Sequence, residues 1–411
     1  MRKTIEIFGK IDGITILIYL FLVSFGWINI YASIYNEDMV ASISDLRSEH
    51  GKQLLFIVIS LFLAFIILII DWKFFHTLAF VFYGITIILL IAVLFTDETG
   101  GASSWFRIGN FKIQPSEFVK VTSSLALAKM LSLNKKKLIS FTPFIVFVPF
   151  FLIILQNDMG TALVFTCFIL VFYRENYLPG YILFGILVLC VLLLLTLITE
   201  NPWQVAVFFT SLIFIIYYLS PNRSRSLKRS SIIAIISNAI IFITHYCYEN
   251  LLAKHMVDRI DVFTGKKVDL LGSGYNLIQS KIAIGSGGFF GKGFLNGTQT
   301  RFDFVPEQTT DFIFCTIGEE WGFLGSLIFL LVFTALLLRI IFLAEKQKSQ
   351  FCRVYGYCVA SILFIHLSIN LGMTIGLVPT VGIPLPFMSY GGSSLISFTI
   401  LIFIFLNLNS Y

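Results

Sequence analysis

Asp311 stands at the head of an apolar segment, in the string PEQTTDFIF, where packing alone does not call for a charge. An ionisable group at the mouth of a membrane helix is costly to place and marks a functional position. A carboxylate there could take the proton from an attacking hydroxyl as a general base. The same residue type suits a helix N-cap favoured by the helix dipole, so two roles are open. A cap alone does not account for Glu319 and Glu320 further along the segment. Asp311, Cys315, Glu319 and Gly322 fall on nearly one helical face, with Glu319 about 12 Å beyond Asp311 along the axis. Gly318 and Gly322 have the GxxxG spacing that permits close helix approach.

Positive charge gathers near this acid in sequence. Arg259, Lys281 and Lys292 lie between residues 249 and 310, and Arg107 lies in an earlier connection. Beside the glycines at 285, 287, 288, 291 and 293, such cations and exposed backbone N–H groups could bind an anionic headgroup. The glycine run has neither a GK[ST] ending nor a preceding strand, which argues against a nucleotide site. Gln114-Pro115-Ser116-Glu117 opens another apolar segment, and Glu117, Lys120 and Ser124 share one helical face there. That face lines a polar cavity or forms a self-neutralising pair at a helix interface. Asp158, in QNDMGT, is a helix cap or a substrate contact. Three prolines at 379, 384 and 386 lead into Ser389-Tyr390-Gly391-Gly392. They forbid a continuous helix and predict a re-entrant turn or cavity wall. Six cysteines without CxxC spacing and five scattered histidines supply neither a disulfide frame nor a metal site.

The elements that must position these groups are membrane helices. Of 411 residues, 57% are hydrophobic and 13% charged, and the mean hydropathy is +0.89. Soluble domains carry roughly a quarter charged residues. The apolar runs are solid rather than alternating, which excludes a membrane barrel. We read an all-α polytopic membrane protein with about twelve spans: 12–33, 53–70, 76–96, 117–133, 140–156, 160–174, 178–198, 203–219, 231–248, 312–343, 355–375 and 390–408. Basic residues at 2, 3 and 10, at 135–137, at 174, at 223–229 and at 346–353 fall on one side under strict alternation. By the positive-inside rule that side is cytoplasmic and holds both termini. The net charge of +6 therefore reflects topology, not nucleic-acid binding. The N-terminal apolar run lacks a cleavage site and reads as a retained anchor. The chain reads as one domain, 1–411, with a basic cytoplasmic loop at 220–230 and a large outer loop at 249–310. Within the outer loop, Leu277, Ile278, Lys281 and Ile282 predict an interfacial helix over 275–284 ended by Gly285.

Taken together, the strings SSWFRIGNFKIQPSE, QNDMGT, GSGYNLIQSKIAIGSGGFFGKG, PEQTTDFIF, GEEWGF and GIPLPFMSYGGSS resemble the SEDS family of bacterial cell-wall proteins (shape, elongation, division and sporulation). They occur in that family's order over most of the chain. Division-type members usually carry Lys in a PTKG string, where this chain has Val381. Asn157 replaces the family's usual proline, and 178–248 holds more spans than its common ten-span plan.

The resemblance implies a peptidoglycan glycosyltransferase in the bacterial cytoplasmic membrane. It would polymerise lipid II beside a class B penicillin-binding protein. It places the catalytic aspartate at Asp311 and cavity residues at Glu117, Lys120 and Asp158. The substrate-binding set expected on both grounds is Glu117, Lys120, Asp158, Arg259, Lys281, Lys292, Arg107, Gln114, Trp105 and Ser389. The leaving diphosphate needs no proton, so cations or a bound Mg²⁺ or Mn²⁺ would stabilise it. Direct displacement predicts inversion at the anomeric carbon. A lipid II flippase is the alternative, since buried charges and a broken helix suit a transporter as well.

Overall fold

The computed structural model describes residues 11–35, 46–96, 103–109, 111–133, 141–199, 201–219, 223–252, 254–266 and 274–410. The basic residues at 2, 3, 10 and 135–137 used for orientation lie outside these, as do loop residues 220–222 and 267–273. The described chain divides into two compact units.

The first unit comprises residues up to 175, 277–376 and 381 onward. It opens with α1 (Gly13–Ile34), α2 (Glu49–Ile69) and α3 (Trp72–Val93), capped by the side chains of Asp12, Ser48 and Asp71. Each cap satisfies an N–H that the first helical turn leaves open. A hairpin follows, β1 (Phe106–Ile108) antiparallel to β2 (Phe111–Ile113), with Arg107 opposite Lys112. Next come α4 (Pro115–Ser132), with proline in its first turn, and α5 (Thr142–Leu155). The span expected at 160–174 is split into α6 (Met159–Val164), one 3₁₀ turn (Phe165–Cys167) and α7 (Phe168–Arg174).

The second unit, 176–276 with 377–380, holds α8 (Gly180–Ile198), α9 (Pro202–Leu219), α10 (Arg223–Asn250) and α11 (Lys254–Thr264). Leu192, Val205, Ala206, Phe209 and Ile241 form its core. The basic loop expected at 220–230 is helical from Arg223 onward. At 28 residues, α10 is about 42 Å long and exceeds a bilayer core of about 30 Å. Its first turns can therefore carry arginine and lysine beyond the apolar layer.

The large outer loop is also more regular than its composition suggests. Besides α11 it contains α12 (Tyr275–Ser286) and α13 (Thr298–Arg301); α12 overlaps the helix read over 275–284 but runs through Gly285, which does not end it. The chain closes with α14 (Ile313–Glu345), α15 (Gln350–Ile375) and α16 (Gly392–Asn409). Among the described residues, nine helices are long and apolar enough to cross a membrane, and this is a multi-pass membrane protein. The other three expected spans are present as α4, which carries Glu117, Lys120 and Lys129, and as the shorter α5 and α6–α7.

α14 is not continuous. Gly322 takes φ 63° and ψ −159°, so the helix breaks there. The GxxxG pair brings α14 against the end of α12 and the glycine turn that follows it: a Cβ on Gly318 would come within 3.2 Å of the Ile284 Cα, one on Gly287 would collide with the Gly318 carbonyl oxygen, and one on Gly322 with the Gly291 nitrogen. Lys292 and Gly293 donate backbone N–H bonds to the carbonyls of Glu319 and Glu320, and Phe323 and Leu324 donate to those of Gly288 and Phe289. Close approach without side chains lets the two segments pair like short strands.

Candidate active site

The site is organised by the proline segment between α15 and α16. α15 ends at Gly376, whose φ of 81° is the left-handed cap that glycine supplies at least cost. On the far side, Tyr390 N–H donates to the Thr309 carbonyl at 2.8 Å. The Ser389 hydroxyl donates to the Thr310 carbonyl at 2.5 Å and accepts from Leu385 N–H at 2.8 Å. The Asn370 amide on α15 donates to the Asp311 carbonyl at 2.8 Å and to the Ile383 carbonyl at 2.7 Å. Three successive carbonyls before α14 are thus held from the proline segment and α15.

Asp311 is half-buried. Its Oδ2 faces Gly382, where an added Cβ would come within 3.3 Å. The capping role does not hold: α14 starts at Ile313 and Phe312 occupies the N-cap position. Asp311 stands one residue outside the helix.

Asp158 and Gln114 converge on the same proline segment. Asp158 caps α6, accepting from Thr161 N–H at 3.0 Å, from Thr161 Oγ1 at 2.9 Å and from Gln114 Nε2 at 2.8 Å. Burial pushes its carboxyl above the ordinary value, against the pull of those hydrogen bonds. Two residues on, a Cβ at Gly160 would collide with the Val381 carbonyl and meet the Gly382 carbonyl at 3.2 Å. The Val381–Ile383 backbone therefore lies between the Asp158 turn and Asp311. Gln114 N–H also reaches Ser393 Oγ at 3.2 Å, which ties the hairpin to the start of α16. Trp105 is half-buried beside it, and Arg107 is exposed on the hairpin.

Several expectations need correction. Glu117 and Lys120 do not line an open cavity: their side chains are each 2% exposed and pair at 2.8 Å. Lys120 Nζ also lies 2.9 Å from His366 Nε2, and Ser397 Oγ donates to Glu117. The ammonium can only donate, so Nε2 accepts and Nδ1–H donates to the Pro384 carbonyl at 3.2 Å. The pair is a closed internal network. Ser389 is buried, with its hydroxyl committed to Thr310 and Leu385, and is a clamp rather than a substrate contact. Lys292 is not available as a simple anion-binding cation, because its Nζ sits 2.6 Å from Glu319 Oε1. Glu319 itself points into α13, accepting from Gln299 N–H and from Thr300 N–H and hydroxyl. It does not share a face with Asp311.

Lys281 is exposed on α12 and forms no ion pair with the described residues. Its Nζ lies 2.5 Å from where a Gly376 Cβ would be, at the negative end of α15. Arg259 belongs to the second unit, where its guanidinium donates to the Thr380 carbonyl at 3.2 Å. A cavity of about 260 Å³ is lined by Leu170, Arg174, Tyr357 and Phe364 among others, and does not include Asp311.

Sequence reasoning missed Asn370, His366 and Gly382. A signal was present: His366, Asn370 and Thr374 recur every fourth residue along α15, a polar stripe on an apolar helix. All three are buried. No group of three or more His, Cys, Asp or Glu side chains able to hold a metal occurs among the described residues.

Comparison with known proteins agrees with this architecture. The FtsW/RodA/SpoVE family model, described as cell cycle protein, matches residues 13–212 and 181–411. The chain is 31% identical to the peptidoglycan glycosyltransferase RodA of Treponema pallidum, over 93% of this chain and 94% of that protein. It is 33% identical to the peptidoglycan glycosyltransferase MrdB of Escherichia coli K12, over 76% and 73%. It is 31% identical to the stage V sporulation protein E of Bacillus subtilis, over 97% of each. Among solved structures, a chain described under "Structural coordination of polymerization and crosslinking by a peptidoglycan synthase complex" superposes with TM-score 0.68 at 24% identity, over 97% of each chain. The rod shape determining protein RodA of Thermus thermophilus gives TM-score 0.58 at 22% identity, over 97% of this chain and 96% of that one. By its family match and these relatives, the chain belongs to the FtsW/RodA/SpoVE family of cell cycle proteins.

Proposed function

We infer that this chain is a peptidoglycan glycosyltransferase of cell elongation, polymerising lipid II with Asp311 as general base. The observation that carries the reading is the fixing of Asp311 just outside α14, half-buried, against a backbone held by Asn370 and Ser389. A carboxylate so placed can take the proton from the acceptor sugar hydroxyl as that oxygen attacks the donor's anomeric carbon. The diphosphate leaves as an anion on its polyprenyl carrier, and the configuration inverts.

Positive charge for the leaving group comes from Lys281, with Arg107 as a further candidate. A divalent cation, Mg²⁺ or Mn²⁺, would add to it. Magnesium is commonly held by one or two carboxylates plus substrate phosphates, and Asp311 is the carboxylate that would hold it here, since Asp158 is committed to Thr161 and Gln114. Within the first unit, Arg174, Arg339 and Arg353 pair with Glu345, Asp12 and Glu175. The end where α1 begins and α14 finishes is thus rich in arginine, which supports placing it in the cytoplasm and Asp311 outside. A class B penicillin-binding protein is the proposed partner, which would crosslink the strands made here. Glu117 and Lys120, which suited a flippase, form a closed pair and no longer favour one.

The test is polymerisation of lipid II by purified protein, with and without the transpeptidase. Asp311→Asn, folded as judged by its thermal transition, should make no glycan under conditions where the wild type does. Full polymerisation by that variant would end the assignment of the base.

A further inference from the structure

We propose that Asn370 is a positioning residue for Asp311, acting together with Ser389. The inference rests on the reading of Asp311 as the base. The direction of a side chain follows from the φ and ψ of its own residue, which are set by the planes of the two peptides around it. The peptide before Asp311 carries the Thr310 carbonyl, held by Ser389 Oγ at 2.5 Å. The peptide after it carries the Asp311 carbonyl, held by Asn370 Nδ2 at 2.8 Å. Both planes are therefore pinned, and with them the Cα–Cβ direction that presents the carboxylate.

The second proton of the same amide goes to the Ile383 carbonyl at 2.7 Å. That carbonyl follows Gly382, the residue against which Asp311 Oδ2 rests. One side chain thus sets both the base and the wall behind it. The chemistry restricts the choice: a primary amide puts two donors on one nitrogen, a hydroxyl has one and a carboxylate none. Both acceptors are carbonyl oxygens, so the orientation of the amide is fixed by its partners. Asn370 Oδ1 is buried without a hydrogen-bond partner. The fold carries that unsatisfied acceptor, which is ordinarily destabilising, in order to keep the two donors.

The experiment compares Asn370→Asp and Ser389→Ala with wild type and Asp311→Asn in the lipid II polymerisation assay, using the full chain with its transpeptidase. Asn370→Asp keeps the size of the side chain and removes the donors. Misplacement of a catalytic group by about 1 Å costs on the order of 10²-fold, so kcat should fall about 10- to 100-fold with KM for lipid II within about twofold. Ser389→Ala, which frees only the Thr310 carbonyl, should show the same split with a smaller loss. Asn370→Ser, with one donor, should recover part of the rate lost in Asn370→Asp. A folded Asn370→Asp protein with wild-type kcat, or one whose loss lies in KM, overturns the proposal. Should Asn370→Asp fail to fold, wild-type kcat in Ser389→Ala overturns it instead. An active Asp311→Asn variant brings down the base and the clamp together. An inactive one beside a fully active Asn370→Asp removes the clamp alone.

Discussion

Lys292 Nζ stands 2.6 Å from Glu319 Oε1, and that carboxylate is fully buried while the lysine is one-quarter exposed. The contact joins the glycine turn after α12 to the broken helix α14. Its carboxylate also collects the N–H groups of Gln299 and Thr300 at the start of α13. Glu319→Ala should therefore lower stability by roughly 3–5 kcal/mol, the cost of leaving buried partners unpaired. Lys292→Met should cost less, since the carboxylate keeps its other donors. Thermal denaturation in detergent reads both, and equal losses would contradict the order.

Lys281 has a different role. It carries an exposed cation at the end of α15 and has no carboxylate partner among the described residues. Lys281→Met should leave the thermal transition within about 0.5 kcal/mol of wild type, as for surface changes. Its polymerisation rate should fall, most of all at low lipid II, because an anion-binding cation is lost. A variant with normal rates at all substrate levels would remove Lys281 from the site.

The membrane helices and the break before α16 were legible because apolar length and proline are local properties. α12 was legible from the spacing of Leu277, Ile278, Lys281 and Ile282, but its buried positions are Leu277, Ser280 and Ala283, while Lys281 and Ile282 are exposed. What the sequence could not show is which polar groups meet. Glu117 and Lys120 share a helical face in either reading, and only packing against His366 and Ser397 reveals a closed network. The sequence puts Glu319 on nearly the same face as Asp311, about 12 Å further along, because it places both on one continuous helix. In fact Asp311 precedes α14 and Glu319 turns to α13. Asn370 escaped notice because its partners are backbone carbonyls distant in sequence, which no motif encodes.

The closed pair in α4 gives its own test. Lys120→Met leaves Glu117 as a buried carboxylate with no cation, and breaking such a pair costs roughly 3–5 kcal/mol. Replacing both residues by apolar ones of similar volume should recover most of that loss. If the double variant is as unstable as the single ones, the pair contributes more than mutual neutralisation. A substrate role instead predicts lost activity at preserved stability in Lys120→Met.

Asp158 brings in pH. Burial raises its carboxyl in the folded state, so the folded chain holds that proton to a higher pH than the unfolded chain does. Its contribution to stability is then fullest below the unfolded value and is lost as pH rises through the folded one. Asp158→Asn keeps a capping side chain and removes the titration. Relative to that variant, the wild type should lose thermal stability as pH rises from the ordinary carboxylate value of 3.8 toward neutrality. Parallel pH curves for the two proteins would rule this out.

Gly382 offers the sharpest separation between structure and chemistry. Its φ of 69° lies in the left-handed region, and a Cβ there would come within 3.3 Å of Asp311 Oδ2. A non-glycine residue in that conformation costs roughly 1–2 kcal/mol, which a folded membrane protein can absorb. The steric effect falls on the base itself, since the carboxylate must give by a few tenths of an ångström. Gly382→Ala should therefore fold with a modest loss of stability and lose polymerisation far beyond what that loss explains. Gly160→Ala provides the contrast, because its Cβ would collide with the Val381 carbonyl and force backbone to move. That variant should lose stability and activity together. A Gly382→Ala protein that polymerises lipid II at the wild-type rate would show that Asp311 does not rest against this glycine during turnover.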